Sequence, residues 1–324
     1  MVRQIQLLLS LSAAVLLAAP AAFAQGINFY YQDDDLVQEN GDEFGRVVAS
    51  GDFNGDGRGD IVIGAPSKDL DGVISAGMVR VIYGDGALPS QVLRPEVSGW
   101  PLEQGLGFGT ALVSMALTDD VYDELIIGVP GASVNGSNVG GIEIWIGGPG
   151  GLTYSTRWFQ DESPPQPGAR FGASLAAHDR KLFIGAPRAI VDDEVAGAVY
   201  YATWDPSFGF CDNGRIDQST PGVPGLSESG DGWATSLATR AADGGGSYLL
   251  VGAPAEDIGD VVDAGAVWHL SVTSSATCSG AAASVASAMS FHQGDGAVPG
   301  AAETNDQFGA AVAYGRFRAA TPFD

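Results

Sequence analysis

Phe44-Gly45, Ile63-Gly64-Ala65-Pro66 and Gly77-Met78-Val79-Arg80-Val81 divide residues 44–81 into an aromatic entry, a strand ending on Gly-Ala-Pro, and an apolar strand opened by glycine. The same marks return down the chain. Phe108-Gly109, Phe171-Gly172, Trp233-Ala234 and Phe308-Gly309 follow the first aromatic at intervals of 64, 63, 62 and 75 residues. Ile127-Gly128-Val129-Pro130, Ile184-Gly185-Ala186-Pro187 and Val251-Gly252-Ala253-Pro254 repeat the second mark, and runs opening at Gly141, Gly197 and Gly265 repeat the third. One Gly-Ala-Pro is a plain turn, because proline presets φ and glycine relieves the strand end. Linked motifs recurring in register define a structural repeat instead.

Each repeat reads as four antiparallel strands: A from the aromatic, B ending at Gly-Ala-Pro, C from the glycine-opened run, and D leading to the next aromatic. A lone sheet of this kind cannot bury both faces. Stacked sheets would let Phe44, Phe108, Phe171 and Trp233 fill the space between blades, each contributing about 1.5–3 kcal/mol when fully buried.

On these motifs the chain resembles the FG-GAP repeat family, known from integrin α-subunits and exported bacterial proteins. The resemblance implies an all-β protein, a β-propeller of four-stranded antiparallel blades, about seven in the full family fold. Four complete blades and a partial fifth from Phe308 are visible. Tyr30-Tyr31-Gln32-Asp33 is similar to Trp158-Phe159-Gln160-Asp161, so 27–31 reads as a D strand that would complete the last blade and close the ring. The sequence stops at Asp324, where a B strand would begin; the expectation is a C-terminally truncated propeller, with an open or oligomer-completed array as the alternative.

Residues 1–24 have the basic start, apolar run and Ala22-Phe23-Ala24 cleavage pattern of a secretory signal, with cleavage expected after Ala24 and the propeller over 25–324. The expected location is therefore secreted, cell-surface or periplasmic. No later stretch is apolar enough to span a membrane. A net charge of −24 repels phosphate-rich partners, so nucleic acid is not an expected ligand, and it attracts divalent cations; the surplus acidity also reads simply as a solubility device. Cys211 and Cys278 are the only cysteines, and spacing alone leaves open whether they pair.

Between strands A and B of the first repeat lies Asp52-Phe53-Asn54-Gly55-Asp56-Gly57-Arg58-Gly59-Asp60. Calcium takes six to eight hard oxygens, and alternate residues of a tight loop can direct them at one point. The expected ligands are Asp52, Asn54, Asp56, the carbonyl of Arg58 and Asp60, with Gly57 permitting the sharp turn. This matches the loop of the resembled family except that Asn54 stands where Asp is commoner. The bland alternative is a solvated Asp-Gly turn. Repeat two has Ala116, Thr118, Asp120 and Glu124 in the same slot, a degenerate set whose metal binding is left open; repeat three deletes the loop, and repeat four retains Asp243 but has Gly244 and Tyr248. Arg58-Gly59-Asp60 spells an adhesion tripeptide, but its aspartate is already committed to the loop.

Gly105-Leu106-Gly107-Phe108-Gly109 overlaps a repeat entry rather than opening a phosphate-binding helix. His178, His269 and His292 show no metal spacing, hydrolase signatures are absent, and Asn135-Gly136-Ser137 reads as a turn or a glycosylation acceptor. The expectation is therefore no enzyme. Strand alternation sends the A–B and C–D loops to one face and the B–C and D–A loops to the other. The second face carries Asp69, Asp71, Asp192, Asp193, Glu194, Glu256, Asp257, Asp260, Asp263 and Trp100, and the resemblance points to it as the ligand face; the alternative is a solvated acidic rim. The leading expectation is a calcium-binding recognition or adhesion scaffold for an extracellular protein or glycan. Two alternatives stand: the propeller part of a secreted phospholipase-like hydrolase whose catalytic part lies elsewhere, and a structural surface or matrix component.

Overall fold

Apolar runs such as Leu125-Ile126-Ile127, each 0% exposed, become the inner strands of sheets because burial on both faces favours continuous β-branched and aliphatic sequence. The computed structural model describes residues 39–315 except 85, 87, 160–164, 208, 243–244, 274–282 and 297. The strand at 27–31, the signal at 1–24, Cys278, Asp243, Gly244 and Asp324 lie outside the described residues.

Blade 1 is β1 (Val47–Gly51), β2 (Asp60–Ala65), β3 (Met78–Ile82) and β4 (Gln91–Leu93), paired in that order. Blade 2 comprises β5 (Leu112–Met115), β6 (Glu124–Val129), β9 (Gly141–Ile146) and β10 (Thr153–Phe159), with a small hairpin of β7 (Ser133–Val134) and β8 (Ser137–Asn138) in its B–C loop. Blade 3 comprises β11 (Ser174–His178), β12 (Lys181–Ala186), β15 (Ala198–Asp205) and β16 (Gly209–Ile216), and its B–C hairpin is β13 (Ile190–Val191) with β14 (Glu194–Val195). Blade 4 is β17 (Ser236–Ala242), β18 (Gly246–Ala253), β19 (Ala266–Thr273) and β20 (Ser284–Phe291). Every pairing between these strands is antiparallel, so the two loop sets fall on opposite faces as the alternation requires. The protein is all-β, built of four-stranded β-propeller blades.

The A strands β1, β5, β11 and β17 stand next to one another in sequence order, and the cores lie between blades rather than within them. Phe108, Phe171 and Trp233 are each 0% exposed at the junctions of blades 1 and 2, 2 and 3, and 3 and 4. Phe171 meets Tyr200 and Trp158 edge-on at 5.1 and 5.7 Å, and Trp233 meets Trp268 at 6.2 Å. Phe44 departs from the expectation. It is only partly buried, because no described blade packs against the outer side of β1.

The recurring glycines have a sharper cause than turn formation. A Cβ on Gly64, Gly128, Gly185 or Gly252 would lie 2.0–2.5 Å from the carbonyl oxygen of Gly109, Gly172, Ala234 or Gly309 in the following repeat. A Cβ on the strand-opening Gly77, Gly140, Gly197 or Gly265 would lie 2.1–2.3 Å from the carbonyl of the next aromatic. Both marks are therefore contacts of one backbone with the next blade's backbone. Cys211 is buried in β16 and disulfide-bonded.

Candidate metal loop and ligand face

The acidic loop of blade 1 curls on its own side chains. Asp52 Oδ1 accepts the amides of Gly55 (2.8 Å) and Asp56 (3.1 Å), and its Oδ2 accepts that of Gly57 (2.8 Å). Asn54 Nδ2 donates to Asp56 Oδ2 at 3.0 Å, and Asp56 Oδ1 accepts the amide of Arg58 at 2.7 Å. Gly55 and Gly57 take φ of 74° and 79°, the left-handed conformation that such a curl needs. Asp52, Asn54 and Asp56 are thus gathered on one tight turn.

Asp60 occupies a different shell of the same loop. It is 0% exposed, its Oδ2 accepts the amide of Phe53 (2.9 Å) and its Oδ1 that of Gly84 (2.8 Å), so it clamps the loop to the end of β3. Burial raises its proton affinity and those two amides lower it, while the nearby charges of Asp56 and Asp52 raise it again. Its burial also removes Arg58-Gly59-Asp60 as an exposed adhesion tripeptide. No group of three or more His, Cys, Asp or Glu gathered at metal-binding range occurs among the described residues. The donor set still suits a hard cation: every candidate group is an oxygen, the carboxylates repel one another, and each Asp60 oxygen keeps a lone pair beyond its one amide.

The loop is tied to the next blade. Asp52 N donates to Asp123 Oδ2 (2.9 Å), Asp123 N donates to Asp52 O (2.8 Å), and Gly148 N donates to Phe53 O (2.9 Å). In the slot of blade 2, Glu124 repeats the clamp by accepting the amide of Leu117 at 2.7 Å. Its Oε1, and Thr118 Oγ1, have no hydrogen-bond partner. The deleted loop of blade 3 is a tight turn through Asp179 and Arg180, both at positive φ.

On the other face the candidates divide. Asp192, Asp193 and Glu194 stand exposed on the β13–β14 hairpin, with Ser219 bonded to Asp192 and Ser229 to Glu194. Asp71 is exposed and paired with Arg94 at 2.7 Å, whereas Asp69 is half-buried and accepts the amide of Ser75, a bracing bond within its loop. Trp100 is corrected. It is 4% exposed, packed edge-on against Phe159 at 5.1 Å with the Arg157 guanidinium 4.6 Å over its ring, because the D–A loop dips into the core there.

Sequence reasoning missed a buried charge slot formed two residues before each aromatic and two residues after each Gly-x-Pro. In blade 1 it holds Asp42 and Lys68, bonded at 3.2 Å, with Glu39 adding a 3.0 Å bond to the same ammonium. Burial lowers the Lys68 proton affinity, but those two carboxylates outweigh it and leave it raised. Blades 2 and 3 fill the slot with Leu106 and Ala132, and with Ala169 and Ala189. Blade 4 holds Asp231 and Glu256, two acids 3% and 8% exposed, the latter accepting Gln218 Nε2 at 3.2 Å, so Glu256, expected on the ligand face, is instead a buried acid beneath it. Burial pushes Asp231 up to about 6, and burial with the charge of Asp231 pushes Glu256 up to about 8. Superposing the repeats residue by residue exposes the slot; the motifs themselves do not contain it.

Residues 44–82 match the family described as FG-GAP repeat. Integrin alpha-PS3 of Drosophila melanogaster is 29% identical over 144 residues, 44% of this chain and 12% of that protein. Integrin alpha-4 of Xenopus laevis is 28% identical over 162 residues, covering 48% of this chain and 14% of its own length. Phosphatidylinositol-glycan-specific phospholipase D of Rattus norvegicus is 36% identical over 91 residues, covering 26% of this chain and 11% of that protein. The chain thus spans a small part of each relative that it resembles.

Proposed function

We propose that this FG-GAP repeat protein is a calcium-stabilised extracellular recognition module that binds a partner through the B–C and D–A loops. The observation that carries the reading is the division of labour between the faces. One face commits its acidic loop to curling and clamping, and the other leaves Asp192, Asp193 and Glu194 exposed on a hairpin. Asp52, Asn54, Asp56 and the Arg58 carbonyl would hold the ion, with Asp60 completing the set from its free lone pairs. The ion would supply charge neutralisation of neighbouring carboxylates. Because the loop is bonded to Asp123 and Gly148, a stiffer loop also stiffens the junction of blades 1 and 2.

Calcium should raise the melting temperature of the wild type, and Asp56→Ala should abolish that rise, since it removes a central oxygen and the Arg58 clamp together. Calorimetry with calcium and with chelator measures it. A calcium shift of equal size in the variant would place the ion elsewhere. A second reading, blades that accompany a secreted hydrolase, is favoured by the 36% identity to a phospholipase D. The downstream gene sequence tests it: a His- and Asp-rich domain there would favour the hydrolase, whereas further blades and an anchor would favour the recognition module.

A further inference from the structure

The residue before each aromatic and the residue after each Gly-x-Pro proline form a second slot, lining the mouth of the B–C and D–A face. That the two positions meet is visible in blade 1, where Ser67 Oγ donates to Glu43 Oε2 at 2.7 Å and Arg46 closes on the same carboxylate. Blade 2 has Gly107 and Gly131 there, and blade 3 has Arg170 and Arg188. The two glycines open space and the two arginines charge it. Together with Gly105, Thr110, Asn138 and Gly168 they line a cavity of about 310 Å³. The space cannot be lost by enlarging Gly131, whose Cβ would lie 2.0 Å from Gly105 O.

Among the described residues neither the Arg170 nor the Arg188 guanidinium has a hydrogen bond or an ion pair. Both stand exposed at the rim of the cavity, left open to an anion in a chain with 15 basic against 39 acidic residues, where carboxylates are plentiful. Partial burial lowers the proton affinity of Arg170, and the like charges of Arg188 and Arg46 lower it further. Arginine stays charged, so the two guanidinium groups present paired positive charge to a small anion at the cavity mouth. Beside the cavity, Ile190 N donates to Gln166 Oε1 at 2.8 Å, which pins the hairpin bearing Asp192, Asp193 and Glu194 next to the loop that carries Arg170.

We propose that Arg170 and Arg188 form an anion-binding subsite at the blade 2–blade 3 junction that takes an acidic side chain of a partner polypeptide whose flanking basic side chains meet the Asp192–Glu194 hairpin. The inference rests on the recognition reading above and gives its partner a chemistry. The cavity admits one small anionic group, and guanidinium forks suit a carboxylate. A polyanionic glycan would bring further negative charge against the acidic hairpin, whereas a polypeptide can alternate its charges within a few residues.

The test is an NMR titration of the full chain with capped Lys-Gly-Gly-Asp-Gly-Gly-Lys, its Asn analogue, and a heparin-derived hexasaccharide. The Asp peptide should bind, and both the Asn analogue and the Arg170→Gln/Arg188→Gln variant should lose at least about tenfold in affinity. Arg188→Lys, which keeps charge but not the fork, should recover part of the loss. Asp192→Asn/Asp193→Asn/Glu194→Gln should weaken the peptide, and should spare a version with Ala in place of both lysines. Equal affinity for the Asp and Asn peptides, binding unaffected in the double arginine variant, absence of peptide binding at millimolar concentration, or tighter binding of the hexasaccharide would each overturn the proposal. A partner whose binding needs the hairpin acids but not the arginines would overturn it while leaving the recognition reading standing.

Discussion

Raising the pH from 5 to 9 should lower the melting temperature by roughly 5–10 °C, and Glu256→Gln should remove most of that fall. Glu256 and Asp231 are both held above their ordinary carboxylate values, to about 8 and about 6. Between the unfolded and folded values the folded chain binds more protons than the unfolded one. Stability is therefore fully present below about pH 4, is lost progressively as the pH climbs, and levels off above about pH 8. Each unit of separation is worth about 1.4 kcal/mol, so the pair costs on the order of 3 kcal/mol or more when both are ionised. The charges bearing on Glu256 come from Asp231, Glu228 and Asp257, all acidic, and its hydrogen-bond partner is the neutral Gln218. Glu256→Lys should go further than Gln, raising the melting temperature at pH 9 above the wild type by recreating the Asp42–Lys68 pair of blade 1. A melting temperature independent of pH in the wild type, or an undiminished slope in Glu256→Gln, would refute the assignment.

The second large effect is expected from one methyl group. Gly128→Ala places a Cβ 2.0 Å from Gly172 O, backbone against backbone, so neither side can yield by a rotamer change. The blades must separate locally around the fully buried Phe171. A loss above about 3 kcal/mol is expected, at the severe end of overpacking. Gly150→Ala is the control, since nothing lies within 4 Å of its added Cβ. Equal melting temperatures for the two variants would show that the blades are not in backbone contact at this junction.

The architecture was legible because backbone contacts between blades can be made only by glycine, so the sequence repeats them in register at Gly64, Gly128, Gly185 and Gly252. The acidic loop was legible for a similar reason: alternate oxygens on a glycine-broken turn are a local pattern. Asp60 was visible as part of that pattern, but its bond to Gly84 joins segments 24 residues apart and belongs to the fold. Trp100 was misplaced because exposure in a D–A loop depends on what lies beneath, here Phe159 and Arg157 from another strand. The Asp231–Glu256 and Arg170–Arg188 slots lie just outside the recurring words, where each blade is free to differ. Their meaning appears only when one blade is compared with the next.

Every sheet among the described residues pairs its strands in chain order, as β1-β2-β3-β4 and β17-β18-β19-β20 show. No described strand waits for a distant segment to arrive. Synthesis at about 5–20 residues per second delivers one repeat of 62–64 residues in roughly 3–13 s, far longer than the microseconds that a hairpin needs. A first blade alone leaves its junction aromatic unpaired, because Phe108 is buried only between blades 1 and 2. Two successive blades are therefore the smallest unit that closes a junction core, and the chain is expected to mature as a growing stack in which each added blade buries the junction aromatic before it.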